Sequence, residues 1–378
     1  MLIGLCGAKC AGKNTVAQYL IDHHGFKRLQ IVHPSSEHAQ NGISRSEPNG
    51  TQAVTTESPA DLPEDNAPRR TLTPRPKKET AITPSHVFAN SEDLLHFVTR
   101  NWGSRWVTTD IHNEAVLNTL SRRPFFILIS VDAPVMVRWR RYQAKQQRSL
   151  PPAEATTMSL EEFVAESDAH LYSADTGVLP LMSQAAIRLL NTSDSLAHLY
   201  ATLGKLDLTN GDRLRPSWDS YFMALASLAA RRCNCMKRAV GCVLVDSKRR
   251  VVSTGYNGTP RNLTNCMDGG CPRCNSGDAS GVGLATCLCL HAEENALLEA
   301  GRGRIHDGSV LYCNTCPCLT CSIKIVQVGI SEVVYNQGYS MDGDTARVFL
   351  SAGVKLRQFS PPANGLVHLE QMDDMGVY

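Results

Sequence analysis

HAEENALLEAG (residues 291–301) and PCLTC (residues 317–321) are the stretches on which the reading of this chain turns. The first reads as a helix closed by Gly301. The second reads as the start of another helix, opening at Pro317, with the apolar strand SVLYCNT (309–315) between them. His291, Cys318 and Cys321 supply one imidazole and two thiolates, a donor set that suits tetrahedral Zn2+ with a fourth position left for water. A Cys-x-x-Cys pair on a helix's first turn aims both sulfurs at one point, and the helix N-terminus favours thiolate over thiol. Glu293, two residues after the histidine, is poorly placed to ligate beside it but can reach a metal-held water and take its proton. The alternative is a closed structural zinc, which needs a fourth ligand such as Cys313 or Cys316.

The surrounding elements support an α/β fold. SWDSYFMALASLAARR (217–232) is amphipathic, with Ser217 as N-cap. The strands RAVGCVLVD (238–246) and RRVVSTGYNG (249–258) follow, joined by a short polar turn. After the two decisive helices come the strand EVVYNQ (332–337), the helix DTARVFLSAG (344–353) and the strand VKLRQF (354–359). The order is α-β-β-α-β-α-β-α-β.

H-x-E followed by P-C-x-x-C is a signature of zinc nucleobase deaminases. With GYNGTP (255–260), the region from about 215 to 360 resembles the zinc-dependent cytidine/deoxycytidylate deaminase family, and most of all its deoxycytidylate (dCMP) deaminase branch. The resemblance implies a three-layer α-β-α domain that hydrolyses dCMP to dUMP and ammonia, supplying dUMP for thymidylate synthesis. A water activated at the zinc attacks C4 of the cytosine ring, while Glu293 protonates N3 and helps deliver a proton to the leaving amine. The resemblance also places Asn257 near the sugar and phosphate of the substrate, although N-G is in itself a strong turn signal. It further implies activation by dCTP, inhibition by dTTP and assembly into homo-hexamers. Cytidine, a tRNA base and a pterin or flavin precursor are the competing substrates. A nucleotide sensor with an inert deaminase domain is the reading from another class.

The chain has 14 cysteines, twelve of them between Cys233 and Cys321. In a long chain without an export signal, such clustering points to metal rather than to disulfides. Cys266-x4-Cys271-x2-Cys274 and Cys287-x-Cys289 are spaced for a second, structural zinc. Some dCMP deaminases of this type carry one, and by comparison Cys235, Cys266 and Cys289 are the best matches. Cys274 is taken as the fourth ligand, with Cys271 and Cys287 as open alternatives. Cys242 reads as a buried residue of its strand.

The N-terminus opens with the strand LIGLCG, the turn Gly7-Ala-Lys-Cys-Ala-Gly12-Lys13-Asn14-Thr15 and a helix. That is the setting of a phosphate-binding P-loop, with Gly7, Gly12, Lys13 and Thr15 as candidate phosphate contacts. Asn14 stands where Ser or Thr would hold Mg2+. The loop resembles those of nucleoside-monophosphate-kinase-like proteins, and Arg138, Arg140 and Arg141 resemble their lid-side arginines. Asp110 and Asp132 are candidate Mg2+-associated acids. Strands such as PFFILISVDAP (124–134) alternate with helices, which indicates a parallel α/β domain over 1–210. Residues 34–85 hold eight of the chain's 19 prolines and no Phe, Trp or Tyr, so they read as a disordered insertion. Residues 361–378 read as a flexible tail.

Lys+Arg at 38 against Asp+Glu at 36 gives a net charge of +2, which excludes a strongly basic nucleic-acid coat. A free nucleotide needs no base flipping, so no nucleic-acid partner is expected. No run of about 18 apolar residues occurs and the N-terminus lacks a signal peptide's basic region, so no membrane partner is expected. The expected location is cytoplasmic, with nuclear residence also open.

Overall fold

The computed structural model describes residues 1–32, 84–149, 158–193, 195–277, 279, 282–338, 342–362 and 365–369. Of the insertion expected at 34–85, all but Pro84 and Ser85 lies outside the described residues. The chain forms two compact units, Met1–Tyr200 with Gly365–Tyr378, and Ala201–Asn364.

The first unit contains β1 (Leu2–Gly7), β2 (Lys27–Ile31), β3 (His86–Phe88), β4 (Trp106–Thr108), β5 (Phe126–Asp132) and β6 (Ile187–Leu190). The second contains β7 (Gly241–Val245), β8 (Val251–Tyr256), β9 (Val310–Thr315), β10 (Glu332–Gln337) and β11 (Lys355–Gln358). The chain then returns to the first unit with β12 (Gly365–His368). The helices are α1 (Lys13–His24), α2 (Ser91–Arg100), α3 (Glu114–Ser121), α4 (Val135–Ser149), α5 (Leu160–Tyr172), α6 (Leu179–Gln184) and α7 (Leu196–Leu206). They continue with α8 (Trp218–Ala230), α9 (Pro272–Asn275), α10 (Ala292–Ala300), α11 (Leu319–Gln327) and α12 (Asp342–Ser351). Among the described residues no helix is long and apolar enough to cross a membrane.

The first sheet runs β12-β6-β5-β1-β4-β2-β3 with every pairing parallel. Its central strand β1 is buried along its whole length, as a strand covered on both faces must be. The helices begin where the sequence supplies caps. Asn90 and Asn113 accept the N–H groups of Asp93 and Val116, and Ser159 and Glu162 close a reciprocal capping box. Within 361–378, read from the sequence as a flexible tail, residues 365–368 form β12 instead, while 363–364 and 370–378 lie outside the described residues. GLVH alternates apolar and exposed positions, with Val367 buried, and it pairs in parallel with β6. The boundary of the units falls at α7 rather than after it.

The second sheet runs β11-β10-β9-β7-β8. β7 is antiparallel to β8 and β9, and β9, β10 and β11 are parallel. The period-two pattern of β7 sends its residues to two different cores. Val243 and Val245 pack with Phe222, Met223 and Ala226 of α8. Cys242 and Leu244 pack with Ala296 and Leu297 of α10, Ile325 of α11 and Phe349 of α12. The result is the expected three-layer α-β-α arrangement, with α8 on one face and α10, α11 and α12 on the other. Gly255 lets α10 settle on β8, because a Cβ there would lie 2.0 Å from the Ala292 carbonyl oxygen.

Candidate active site and metal centres

His291 is the N-cap of α10 and Cys318 the N-cap of α11, both with extended backbone. Pro317 therefore precedes its helix instead of standing in the first turn as the sequence suggests, and its carbonyl accepts a 3.0 Å bond from the buried Thr345 Oγ1. The two helix starts face each other. His291 Nδ1 lies 3.3 Å from Cys318 Sγ and 3.3 Å from Cys321 Sγ. Zinc with bonds of about 2.0 Å to nitrogen and about 2.3 Å to sulfur sets such atoms about 3.5 Å apart in a tetrahedron, so the donors fit. Among the described residues these three ligand atoms form the whole group, without Cys313 or Cys316.

The two sulfurs of this group share one proton. A hydrogen bond from Cys321 holds the Cys318 thiol down at about 3, with His291 and Thr320 adding to it against burial. Sharing that proton, then burial, pushes Cys321 up. The Cys318 sulfur raises His291. Glu293 is 4% exposed, and burial raises its carboxyl.

Four contacts that the sequence reading missed hold the two helices in place. Asn295 Nδ2 donates to the Tyr256 carbonyl at 2.9 Å, and Ser253 Oγ donates to the Ala296 carbonyl at 2.8 Å. Lys324 Nζ bonds Glu294 Oε1 at 2.6 Å, and Thr345 holds Pro317. Each joins elements distant in sequence, so no local motif marks it. Gly258 and Leu290 form an antiparallel bridge that sets the GYNG turn beside the segment leading into His291. Asn257 is buried there. Its Oδ1 accepts the Val240 N–H at 2.9 Å and its Nδ2 donates to the Arg238 carbonyl at 2.7 Å.

The structure brings together Cys235, Cys266, Cys274 and Cys289, and also Cys271, Cys274, Cys287 and Cys289, each set with sulfurs within 4.8 Å. The fourth position left open among Cys274, Cys271 and Cys287 thus resolves into two overlapping groups.

In the first unit, Gly7 has φ +137° and a Cβ there would lie 2.0 Å from the Val131 carbonyl oxygen. Gly12, at φ +108°, is the N-cap of α1. Lys13 Nζ donates to the Gly7 carbonyl at 2.7 Å, closing the loop, and burial lowers the lysine's pKa. Thr15 lies half-buried in α1. Arg141 donates to the carbonyls of Ala11 and Ser193, and the buried Arg138 donates to the Ala133 carbonyl, so these two brace the loops. Asp110 accepts the Ile31 N–H and Asp132 the Ala133 N–H.

Comparison with known proteins covers both units. The family model described as the cytidine and deoxycytidylate deaminase zinc-binding region matches residues 216–337. A deoxycytidylate deaminase of Schizosaccharomyces pombe is 45% identical over 364 residues, 96% of this chain and 99% of that protein. A deoxycytidylate deaminase of Saccharomyces cerevisiae is 48% identical over 280 residues, 72% of this chain and 86% of that protein. Among solved structures, the dCMP deaminase of cyanophage S-TIM5 in complex with dCMP and dUMP is 30% identical, covering 38% of this chain and 98% of that one with a TM-score of 0.32. Since so close a likeness runs through nearly the full length of the first of these relatives, the chain belongs to the zinc-binding deoxycytidylate deaminase family.

Proposed function

We propose that the second unit converts dCMP and water to dUMP and ammonia. The observation that carries this reading is the three-donor group His291, Cys318 and Cys321 with the buried carboxyl of Glu293 at its side. Zinc held by that group supplies a water acidic enough to attack at neutral pH. Glu293 takes the proton of that water and delivers it to N3 of the ring, then helps pass a proton to the departing amine. Burial raises the Glu293 carboxyl, which makes it the stronger base for the first transfer. Asn257 borders the sugar and phosphate. Its side chain is held by the Val240 N–H and the Arg238 carbonyl, which fixes the GYNG turn.

The family supports activation by dCTP, inhibition by dTTP and a hexameric assembly. The glycine loop of the first unit supports phosphate binding there, with Gly7, Gly12, Lys13 and Thr15 as contacts. The departure at Asn14 argues against kinase chemistry.

The test is ultraviolet-monitored deamination of dCMP and deoxycytidine at equal concentration, with and without dCTP. Loss of dCMP alone, faster with dCTP, is expected. Turnover of neither substrate by zinc-loaded protein overturns the dCMP reading.

A further inference from the structure

We infer that Cys235, Cys266, Cys271, Cys274, Cys287 and Cys289 hold two zinc ions in one thiolate-bridged cluster, which gives the chain three zinc sites with the catalytic one. The two four-sulfur groups share two members, Cys274 and Cys289. Two tetrahedral S4 sites that share an edge need six ligands, and six cysteines are present. Cys235 and Cys266 are the terminal ligands of one ion, and Cys271 and Cys287 those of the other.

The distances suit this arrangement. Cys274 Sγ lies 3.9 Å from Cys235 Sγ, 3.7 Å from Cys287 Sγ and 3.9 Å from Cys289 Sγ, and Cys271 Sγ lies 3.9 Å from Cys287 Sγ. The edge of a zinc–thiolate tetrahedron is about 3.8 Å at a bond length of about 2.3 Å. None of the six is in a disulfide.

Independent contacts mark the sulfurs as acceptors, as thiolates are. The Met236 N–H donates to Cys266 Sγ at 3.5 Å and the Leu288 N–H to Cys271 Sγ at 3.4 Å. Arg273 Nη1 lies 4.0 Å from Cys274 Sγ, a cation beside a shared ligand. A [2Fe–2S] centre takes four protein thiolates and bridges its metals with sulfide, so it would leave two of the six unused.

The cluster has a structural consequence. It ties the turn after α8 (Cys235), the turn and helix at 266–274, and the segment holding Cys287 and Cys289 into one knot. Cys289 is two residues before His291, so the knot fixes the chain where it enters the catalytic metal site. Few large apolar side chains are available in this loop to do so.

The test is zinc and iron content by plasma mass spectrometry on the reduced full-length protein. Three zinc ions per chain are expected. In Cys318→Ser/Cys321→Ser, which lacks the catalytic donors, two should remain, so the cluster is read apart from the deaminase site. Cys271→Ser/Cys287→Ser should lower the wild-type count by one. X-ray absorption of the catalytic-site variant should show an all-sulfur shell and a zinc–zinc path, and the wild type should show that path even if the variants fail to fold. Two zinc ions in the wild type, a count unmoved by Cys271→Ser/Cys287→Ser, no zinc–zinc path, or iron in place of zinc would each overturn the cluster.

Discussion

Lys324 Nζ and Glu294 Oε1 meet at 2.6 Å, joining α11 to α10 across the layer that carries both halves of the catalytic metal site. Glu294 follows Glu293 directly, and Lys324 lies one helical turn beyond Cys321, so the pair fixes the spacing of the two ligand-bearing helix starts. Both side chains are partly exposed, so screening limits its contribution. A double-mutant cycle with Lys324→Met and Glu294→Gln should return a coupling of about 0.2–1 kcal/mol from denaturant midpoints. A coupling of zero would mean the bond adds nothing to the docking of the helices.

Glu293→Gln keeps the shape of the side chain and removes its capacity to carry a proton. Turnover of dCMP should fall about 10²–10⁴-fold, with KM nearly unchanged and the zinc content retained. A variant that kept its rate would remove Glu293 from the chemistry.

Gly255→Ala tests whether the close seating of α10 matters for catalysis. The added methyl would meet the Ala292 carbonyl oxygen at 2.0 Å, so the helix start with His291 and Glu293 must shift. We expect a stability loss of about 1–3 kcal/mol. A fall in kcat/KM of about 10²-fold should accompany it, from misplacement of the catalytic groups. Thermal melts and steady-state rates on the same preparation check both.

Asp219 shows how pH enters stability. Burial raises its carboxyl, but Arg357, bidentate at 2.7 and 3.1 Å, and Tyr312 Oη at 2.8 Å outweigh burial and leave it below the usual range. A carboxyl depressed in the folded state stabilises the fold above its unfolded pKa, and this contribution is lost as pH falls through the folded value. Asp219→Asn should cost about 1–3 kcal/mol at neutral pH. Its difference from wild type should shrink as the pH falls below about 4. Urea titrations across that range decide it, and a difference that stays constant would mean the carboxylate charge is not what Arg357 and Tyr312 recognise.

Much of the second unit was legible in the chain itself. Apart from α9, which lies in a stretch that reads as loop, the helices and strands from Ser217 to Gln358 follow from period-two and period-3.6 patterns, and His291, Glu293, Cys318 and Cys321 stand out because each motif lies within one helix start. β2, β3 and β12 did not stand out. They are short, and a short strand exists only through its neighbours in the sheet. β12 pairs with β6 across about 175 residues of intervening chain, a separation over which no local pattern carries information.

By itself, then, the sequence determined which residue types the chemistry would use and the elements that carry them, since donor identity and local periodicity are properties of the chain. Only the tertiary structure decided how those elements meet: that His291 faces both Cys318 and Cys321, that Lys324 reaches Glu294, and that Cys274 and Cys289 belong to two sulfur groups at once. Spacing ranks possible ligands along one dimension. A tetrahedron of sulfurs is a distance relation among residues up to 54 positions apart, from Cys235 to Cys289, and only folding sets such distances.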